Sequence, residues 1–478
     1  MAEIESPRKP HAIMISFHLQ GHIIPFVNLA IKLASKGFTI TFVHNEFIHH
    51  QISKSQYNST QVDIFSEARN SGLDINYTTI SDGFPLEFDR GGNLNQFAES
   101  FLIDFPTRVD EFVGKILHSQ SSSSYNYFLI ADTLCVWPAK IAKKYNIVNV
   151  SFWTEPALVF SLYYHLDLLR KNGHVPANGL EENITYIPGI QSISTKDFMS
   201  YLQGSESTII HTIMFAAFEE VKNADFILCN TVQELEAEAV SALNENQPFY
   251  AVGPVFPTDF SESTVARSLL PESDSTEWLK TKSPGSVLYV SFGSLAKIDE
   301  HVILEVAEGL LLSEVNFLWV LRPGTVSCDD DEILTVGYKN RIKDQGLIVP
   351  WCKQNLVLSN PAIGGFLTHC GWNSILESIW CGVPMICYPL FTDQITNRKL
   401  VVDDWKIGIN LCGGISVSRE EVAEKIKILM GGGKSDGLKE EMKSVRNMMQ
   451  NALDGSSERN FDQFLKDLKA KILSKTKD

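Results

Sequence analysis

The sequence has few of the features that mark metal-binding, exported or nucleic-acid-binding proteins. Its eight cysteines include no CxxC pair and no Cys/His cluster with zinc-finger spacing, which favours reduced thiols inside the cell. The first ten residues are polar, and no apolar segment with a cleavage site follows them, so we expect no secretory signal. Lys and Arg number 41 against 57 Asp and Glu, and the net charge of −16 disfavours nucleic acid and anionic membranes as partners.

Two common nucleotide-binding motifs are also absent. No GxGxxG opens the first strand-to-helix turn, where His18-Leu19-Gln20-Gly21-His22 stands instead, and there is no GxxxxGK[ST]. These absences count against dinucleotide oxidoreductases and P-loop NTPases. The longest weakly charged stretch, residues 362–391, is long enough to cross a bilayer. Its polar residues and prolines favour instead a buried strand–loop–helix–strand segment that holds a polar ligand, and we expect no membrane span.

What remains is the composition of a large globular protein. The 478 residues are 44% apolar and 21% charged, which excludes a disordered or coiled-coil chain and suggests two to three domains. Apolar runs of strand length alternate with helical patterns in two blocks, an arrangement typical of doubly wound α/β domains. The predicted strands are 12–17, 38–44, 127–131, 147–152, 286–292, 316–321, 346–349, 364–367 and 384–388, and the clearest helices are 22–35, 137–145 and 300–312.

The boundary between the two blocks is predicted near residues 254–275. This segment is rich in Ser, Pro and acidic residues and has little periodicity, which is linker composition. The acidic run 329–332 is interpreted as a solvated loop, residues 431–433 as a mobile turn, and the tail from 466 to 478 as a charged helix.

Two strand ends in the second block have the residues expected at a phosphate site. Gly293 and Ser294 follow one strand, where glycine lets the backbone approach an anion. Asn373 and Ser374 follow another, at the position predicted for a helix cap, where their side chains and the helix N–H groups can hold a diphosphate. From this segment alone, a plain helix cap remains an equal alternative.

The segment from Trp351 to Gln394 makes the sequence recognisable. It reads WCKQNLVLSNPAIGGFLTHCGWNSILESIWCGVPMICYPLFTDQ and resembles the 44-residue signature box of plant UDP-dependent glycosyltransferases of family 1. Similar matches flank it, and only the middle of the chain, about 158–244, matches weakly. The flanking matches are Gly21-His22, Ile80–Gly83, Asp132, Phe152–Thr154, Val252–Pro254, Ser291–Ser294 and Gly455–Ser457 with Asn460.

The resemblance implies the GT-B fold, in which two Rossmann-like domains face each other across a cleft. It implies an N-terminal acceptor-binding domain at 1–254, a linker at 255–275 and a C-terminal UDP-sugar-binding domain at 276–455. Residues 456–478 would form a C-terminal helix that packs back on the N-terminal domain. No cofactor is implied beyond the UDP-sugar co-substrate.

The resemblance also implies the residues that bind the donor. Trp351 would stack on uracil, the Cys352 backbone would meet its edge, and Gln354 and Glu377 would hold the ribose. The diphosphate would meet His369, Asn373, Ser374 and Ser294, and the sugar would meet Trp372, Asp393, Gln394 and, from the other domain, Thr154. Many members have a small residue and Pro where Cys352-Lys353 stand here, and we expect Lys353 to point to solvent.

For catalysis the resemblance implies His22 as general base and Asp132 as its partner. His22 would take the proton of an acceptor hydroxyl, and Asp132 would fix the tautomer and stabilise the imidazolium. The acceptor oxygen would displace UDP from the opposite face, which inverts an α-linked donor to a β-glycoside without a metal. His18, four positions earlier, is the competing base.

These inferences together predict an inverting UDP-glucose-dependent O-glucosyltransferase for lipophilic small molecules, cytoplasmic and monomeric. Gln394 at the end of the box favours glucose. A phenolic and a terpenoid acceptor remain open, and the aromatic residues expected to line an apolar acceptor pocket are Phe84, Phe152, Phe198, Tyr201 and Phe391. The alternatives are a UDP-sugar-binding sensor with little transfer, and a nucleotide-sugar epimerase or dehydrogenase, which would need a nicotinamide site that the sequence does not show.

Overall fold

The structure is a computed structural model of the chain. It describes residues 8–475 except 56–62, 91, 120–123, 177–178, 205–207, 258–259, 261–269, 327–333, 335, 414–415 and 432–433. The acidic run 329–332, most of the predicted linker and part of the 431–433 turn therefore lie outside the described residues.

Two separate parallel sheets organise the described chain. The N-terminal sheet has seven strands in the order β3-β2-β1-β4-β5-β8-β9, and the C-terminal sheet has six in the order β12-β11-β10-β13-β14-β15. The strands are β1 Lys9–Ile15, β2 Thr39–Asn45, β3 Ile75–Ile80, β4 Tyr125–Asp132, β5 Val148–Trp153, β6 Asn183–Ile184, β7 Ile193–Ser194, β8 Phe226–Cys229, β9 Phe249–Ala251, β10 Val287–Ser291, β11 Asn316–Val320, β12 Gly346–Val349, β13 Ile363–Thr368, β14 Met385–Cys387 and β15 Gly408–Asn410. Strands β6 and β7 form a small antiparallel pair.

Helices cover both sheets, as buried parallel strands require. They are α1 Gln20–Ser35, α2 Glu46–Ser55, α3 Ser66–Asn70, α4 Leu94–Leu117, α5 Pro138–Lys144, α6 Ala157–Tyr164, α7 Leu166–Lys171, α8 Ser200–Gln203, α9 Ile209–Val221, α10 Ala237–Asn244, α11 Thr276–Lys280, α12 Glu300–Ser313, α13 Val336–Arg341, α14 Gln354–Leu358, α15 Trp372–Cys381, α16 Gln394–Lys399, α17 Arg419–Met430, α18 Lys434–Leu453 and α19 Ser456–Lys475. Short 3-10 and π-helical segments occupy Thr195–Asp197 and Leu400–Asp404.

The predicted fold class is confirmed by these two sheets. Each predicted strand and helix is present, with ends that differ by up to three residues from the pattern. The weakly charged stretch 362–391 forms β13, α15 and β14, and these strands are buried between their neighbours. No helix in the described part of the chain combines the length and the apolar character that crossing a membrane would require.

Strand order places one reversal point in each sheet. In the N-terminal sheet, strands are added outwards in one direction up to β3 and in the other direction from β4, so the strand order reverses between β1 and β4. In the C-terminal sheet it reverses between β10 and β13. Ligands of open α/β sheets bind at the carboxyl ends of the strands beside such a reversal. His22 follows β1 and Asp132 ends β4, whereas Ser294 follows β10 and His369 follows β13. The topology therefore brings each pair together.

The C-terminal helix α19 packs against the N-terminal sheet. Phe461, Phe464 and Leu468 are fully buried in the same apolar cluster as strands β1, β4 and β5. Glu458 receives ion pairs from Lys32 and Lys36 of α1. The last helix of the chain thus belongs structurally to the first sheet.

Direct hydrogen bonds join the two halves around the cleft. The Trp372 indole N–H donates to the Asn230 carbonyl at 2.7 Å, and the Thr396 hydroxyl donates to the Asp197 carbonyl at 2.7 Å. Arg398 forms a buried ion pair with Asp197. These contacts hold the carboxyl ends of the two sheets against each other.

Two buried histidines predict that acid destabilises the N-terminal sheet. Burial lowers the pKa of His44 to about 3 and that of His11 to about 4. Below about pH 6.5 these two histidines take up protons in the unfolded chain but stay uncharged in the folded protein. Their contribution to the free energy of unfolding is therefore complete above about pH 6.5 and is lost as pH falls towards 4. At pH 5 each should cost about 2 kcal/mol of unfolding free energy.

The measurement is chemical unfolding at pH 7.0 and 5.0 of the wild type and of His44→Asn. The variant cannot titrate at this position, so it should lose about 2 kcal/mol less than the wild type over this interval. An identical loss in both proteins would show that His44 does not contribute.

Candidate functional site

A cavity of about 760 Å³ lies between the carboxyl ends of the two sheets. This volume falls within the range of small-molecule sites. Residues after β1 and β5 form one wall, and residues after β10, β13 and β14 form the other. Fifteen of the predicted site residues border it: His22, Thr154, Ser294, Trp351, Cys352, Gln354, His369, Trp372, Asn373, Ser374, Glu377, Asp393, Gln394, Tyr201 and Phe391.

His22 and Asp132 form a hydrogen-bonded pair in the first wall. His22 Nδ1 lies 2.8 Å from Asp132 Oδ2, and the two side chains are 8% and 1% exposed. Since an ionised carboxylate only accepts hydrogen bonds, the Nδ1 atom carries the proton. The Nε2 atom then carries the lone pair, and this atom can take a proton from a hydroxyl in the cavity.

Thr154 lies on the same ring nitrogen. Its hydroxyl is 3.0 Å from His22 Nδ1, so two oxygens fix the orientation of the imidazole. The sequence predicted this hydroxyl as a sugar contact, and the structure places it beside His22 Nδ1, at the border of the cavity.

His18, the competing base, has a different environment. Its ring packs on Phe17, Phe97 and Phe101, with centroid distances of 4.1, 4.7 and 5.7 Å. Burial, followed by the nearby His22, lowers the pKa of His18 to about 3. The imidazole therefore stays uncharged at neutral pH and serves as part of an aromatic wall.

The second wall holds His369 between two glycines. A Cβ atom at Gly293 would lie 2.4 Å from His369 Nε2, and one at Gly371 would lie 2.5 Å from the same nitrogen. Gly293 also has a φ of +78°, which side chains rarely adopt. Burial lowers the pKa of His369 to about 4, opposed by a hydrogen bond to the Ser291 backbone, so the ring faces the cavity uncharged.

Helix α15 begins beside this histidine, and its cap differs from the prediction. Gly371 is the N-cap, with φ −63° and ψ 138°, and Asn373 and Ser374 are the second and third residues of the helix. The expectation that Asn373 and Ser374 cap the helix is therefore wrong, because the turn ends two residues earlier. The first turn of α15 nevertheless borders the cavity, and the first N–H groups of a helix have no partner within the helix.

The side chains of this first turn already have protein contacts. Asn373 Nδ2 donates to the Gly21 carbonyl of the opposite wall at 2.7 Å. Ser374 Oγ accepts from Gln354 Nε2 at 3.0 Å, and the same amide donates to Glu377 Oε2 at 2.8 Å. Gln354 and Glu377, the pair predicted to hold a ribose, are thus hydrogen-bonded to each other.

Trp351, Cys352 and Lys353 border the cavity and stand at the start of the segment 351–394. The Trp351 carbonyl accepts from the Ser273 N–H at 2.8 Å, and the Cys352 side chain is buried behind it. The Lys353 side chain is 48% exposed and lies 3.7 Å from Glu272. Lys353 therefore points outwards, as the sequence suggested.

Three residues predicted at the sugar differ in what they can offer. The Trp372 indole is occupied by Asn230, which leaves its backbone N–H as the group for a sugar. Gln394 Oε1 accepts from the Leu390 and Phe391 N–H groups at 2.9 and 3.2 Å, so its NH₂ group is the side that can donate. Burial raises the pKa of Asp393.

The acceptor-pocket prediction is partly wrong. Tyr201 and Phe391 line the cavity, but Phe152 and Phe198 are buried core residues and Phe84 stacks on Phe88 at 4.2 Å. Strand alternation explains Phe152, because its side chain packs on Phe26 of α1, on the face of the sheet that α1 covers. The aromatic and apolar lining that the sequence did not identify includes Phe17, Phe97, Phe101, Ile210, Ile213 and Met214.

Glu155 is the polar residue of this wall that the sequence did not single out. Its Oε1 atom lies 3.8 Å from His22 Nε2. Burial, then the nearby Asp393 and Asp132, raises the pKa of Glu155 well above its usual value. The only available signal was its position directly after Thr154, where a charged residue follows a buried strand.

The cavity beside His369, Ser294 and the start of α15 is bordered mainly by uncharged groups. Two lysines, Lys297 and Lys353, are also among the described residues that line the cavity. Oriented N–H groups at a helix start are suited to an anion without a cation. The described residues also contain no group of three or more side chains that can hold a metal ion.

Comparison with known proteins identifies the family to which this chain is similar. The model of the family described as UDP-glucoronosyl and UDP-glucosyl transferase matches residues 240–435. The chain is 53% identical to UDP-glycosyltransferase 86A1 of Arabidopsis thaliana, over 98% of this chain and 96% of that protein. It is 34% identical to 7-deoxyloganetin glucosyltransferase of Catharanthus roseus, over 97% of each.

A solved structure has the same fold. The structure of Phytolacca americana UGT2 complexed with UDP-2fluoro-glucose and pterostilbene superposes with a TM-score of 0.79 at 25% identity, over 96% of this chain and 100% of that one. The sequence resemblance and the GT-B fold are both confirmed. The chain belongs to family 1 of the plant UDP-glycosyltransferases, and it is an inverting sugar-transferring enzyme.

Proposed function

We propose that this chain is a UDP-glucose-dependent O-glucosyltransferase that makes β-glucosides of lipophilic phenolic or terpenoid alcohols. The observation that carries the proposal is the position of the His22–Asp132 pair, which faces the donor segment 351–394 across one continuous cavity. Residues 1–254 then supply the base and the acceptor wall, and residues 276–455 supply the donor wall. Residues 255–275 would join them, and α19, Ser456–Lys475, packs back on the first half.

The donor half holds UDP-glucose through preassembled groups. Trp351 offers an aromatic face to the uracil, and the Gln354–Glu377 pair offers an amide and a carboxylate to the ribose hydroxyls. His369, Ser294 and the N–H groups of α15 hold the diphosphate. Gln394 donates its NH₂ group to the sugar, and Asp393 accepts from it.

The reaction follows from the two walls. His22 Nε2 takes the proton of the acceptor hydroxyl while that oxygen attacks the anomeric carbon of glucose. The bond from this carbon to the UDP oxygen breaks on the opposite side, so the α-linked donor gives a β-glucoside. Asp132 stabilises the imidazolium, and the neutral donors at His369 and α15 stabilise the departing diphosphate.

The choice of glucose and of a lipophilic acceptor has separate support. The relative from Catharanthus roseus, 34% identical, is a glucosyltransferase by name. The part of the cavity near His22 is lined by Phe17, Phe97 and Phe101, which fit a flat or alicyclic apolar molecule.

The test is a product screen by mass spectrometry with UDP-glucose, UDP-galactose, UDP-xylose and UDP-glucuronate against a panel of phenols and terpenoid alcohols. We expect hexoside products from UDP-glucose, with an efficiency at least about tenfold above the other donors, a margin of about 1.4 kcal/mol. Binding of UDP-glucose without any product would support a sensor, and a clear preference for another donor would contradict the assignment of glucose.

A further inference from the structure

One carboxyl beside the catalytic histidine has no role in the reaction described above. Glu155 lies between β5 and α6, and its Oε1 is 3.8 Å from His22 Nε2, the nitrogen that receives the proton. This separation is too long for a direct hydrogen bond. Among the described residues, the Glu155 carboxyl has no hydrogen-bond partner, and its side chain is only 16% exposed. The carboxyl is only partly exposed and Glu155 borders the cavity, so a ligand in the cavity can supply its partner.

The charges around Glu155 define what kind of partner fits. Burial, Asp393 and Asp132 all raise the pKa of Glu155 well above its usual value, so this position disfavours a charged carboxylate. The phenols of Tyr163 and Tyr201 also face it, and both have raised pKa values. No Lys or Arg is among the groups that act on Glu155, so a second anion here would not be neutralised. An uncharged carboxyl both donates and accepts, which suits a hydroxyl.

Distances place that hydroxyl on the acceptor. The attacked hydroxyl must lie about 2.6–3.2 Å from His22 Nε2 for proton transfer. Because Glu155 Oε1 is 3.8 Å from the same nitrogen, a group on the neighbouring carbon comes within hydrogen-bond reach of Glu155. A molecule with a single hydroxyl fills this part of the cavity without giving the carboxyl a partner, which is unfavourable.

We propose that Glu155 is a specificity-determining residue that binds a second hydroxyl on the carbon next to the attacked one. The preferred acceptors are therefore uncharged vicinal diols, which in the aromatic series are catechols. This inference rests on the proposed O-glucosyltransferase function and narrows its acceptor class.

The test compares naphthalene-2,3-diol with 3-methylnaphthalen-2-ol, which has the same shape and one hydroxyl. We measure kcat/KM for both in the wild type, Glu155→Leu and Glu155→Gln. Glu155→Leu should lower the diol-to-monool ratio about tenfold, the effect expected when a hydrogen bond in a closed site is lost. Glu155→Gln, which keeps a donor and an acceptor, should keep the ratio within about threefold. Comparing ratios between variants cancels the higher intrinsic reactivity of the diol.

Glu272→Leu is the matched control. Glu272 lines the same cavity but is 3.7 Å from Lys353 at the donor end. This substitution should leave the diol-to-monool ratio unchanged, whatever it does to the rate. An unchanged ratio in Glu155→Leu, or an equal fall in Glu272→Leu, would overturn the assignment.

Binding measurements separate this inference from the proposed function. Dissociation constants of both naphthols are measured by calorimetry with the UDP-saturated protein. If neither compound is glucosylated, the proposed function fails for phenols, and the binding ratio still decides the role of Glu155. A diol preference that disappears in Glu155→Leu supports the contact, and equal affinities in the wild type overturn it.

Discussion

Replacing His22 by alanine is expected to lower kcat for O-glucosylation about 10³-fold, while UDP binds as it does to the wild type. A positioned general base contributes a factor of about 10²–10⁴ to the rate. The Asp132 contact at Nδ1 leaves the imidazole lone pair on His22 Nε2, which can take a proton in the cavity. UDP binding should not change, because its proposed contacts lie in the opposite wall. Initial rates by mass spectrometry and UDP titration by calorimetry measure the two quantities.

His18→Ala is the comparison that isolates the base. His18 lies four residues earlier, but aromatic rings surround it and its pKa is lowered to about 3. We expect this variant to raise the KM of the acceptor and to keep kcat within about tenfold, since it loses packing rather than proton transfer. If His22→Ala retained a substantial rate and His18→Ala did not, the assignment of the base would be reversed.

Replacing Gly293 by alanine should weaken UDP binding about 10- to 100-fold. A Cβ atom at this position would lie 2.4 Å from His369 Nε2, so the imidazole must move from its place at the diphosphate. A hydrogen bond to a charged group contributes about 1.5–3 kcal/mol, which corresponds to this loss of affinity. Titration of UDP by calorimetry measures it.

Gly285→Ala separates the clash from backbone strain. Gly285 has a φ of +68°, close to that of Gly293, but nothing lies within 4 Å of a Cβ placed there. Both variants should lose about 1 kcal/mol of stability to the left-handed backbone, and only Gly293→Ala should lose UDP affinity. Equal UDP affinities in the two variants would show that His369 does not depend on this glycine.

Much of the fold follows from the sequence alone, because buried parallel strands are continuous apolar runs. The strands at residues 12–17 and 286–292, each followed by a helical pattern, predict both sheets and the strand ends where ligands bind. The pairing of His22 with Asp132, 110 residues apart, does not follow from periodicity. The family resemblance implied this pairing, and the structure explains it, because β1 and β4 are neighbouring strands.

The details that sequence did not predict depend on packing between distant segments. The face of β5 on which Phe152 lies determines whether its side chain is in the core or in the cavity. The N-cap of α15 is Gly371 rather than Asn373, because the preceding turn ends at Gly371. The contact of Trp372 with Asn230 joins residues from the two sheets, which no local pattern encodes. Glu155 was missed because its environment, rather than its residue type, makes it unusual.

The central claim is that the His22–Asp132 pair drives inverting transfer of glucose from UDP-glucose to an acceptor hydroxyl. The most direct measurement is a proton NMR time course of UDP-α-glucose with naphthalen-2-ol, run in parallel with wild-type protein and His22→Ala. The account predicts that the wild type converts the α-anomeric signal of the donor into that of a β-glucoside and that the variant produces none on the same timescale. An α-glucoside, or a β-glucoside formed at similar rates by both proteins, would contradict it.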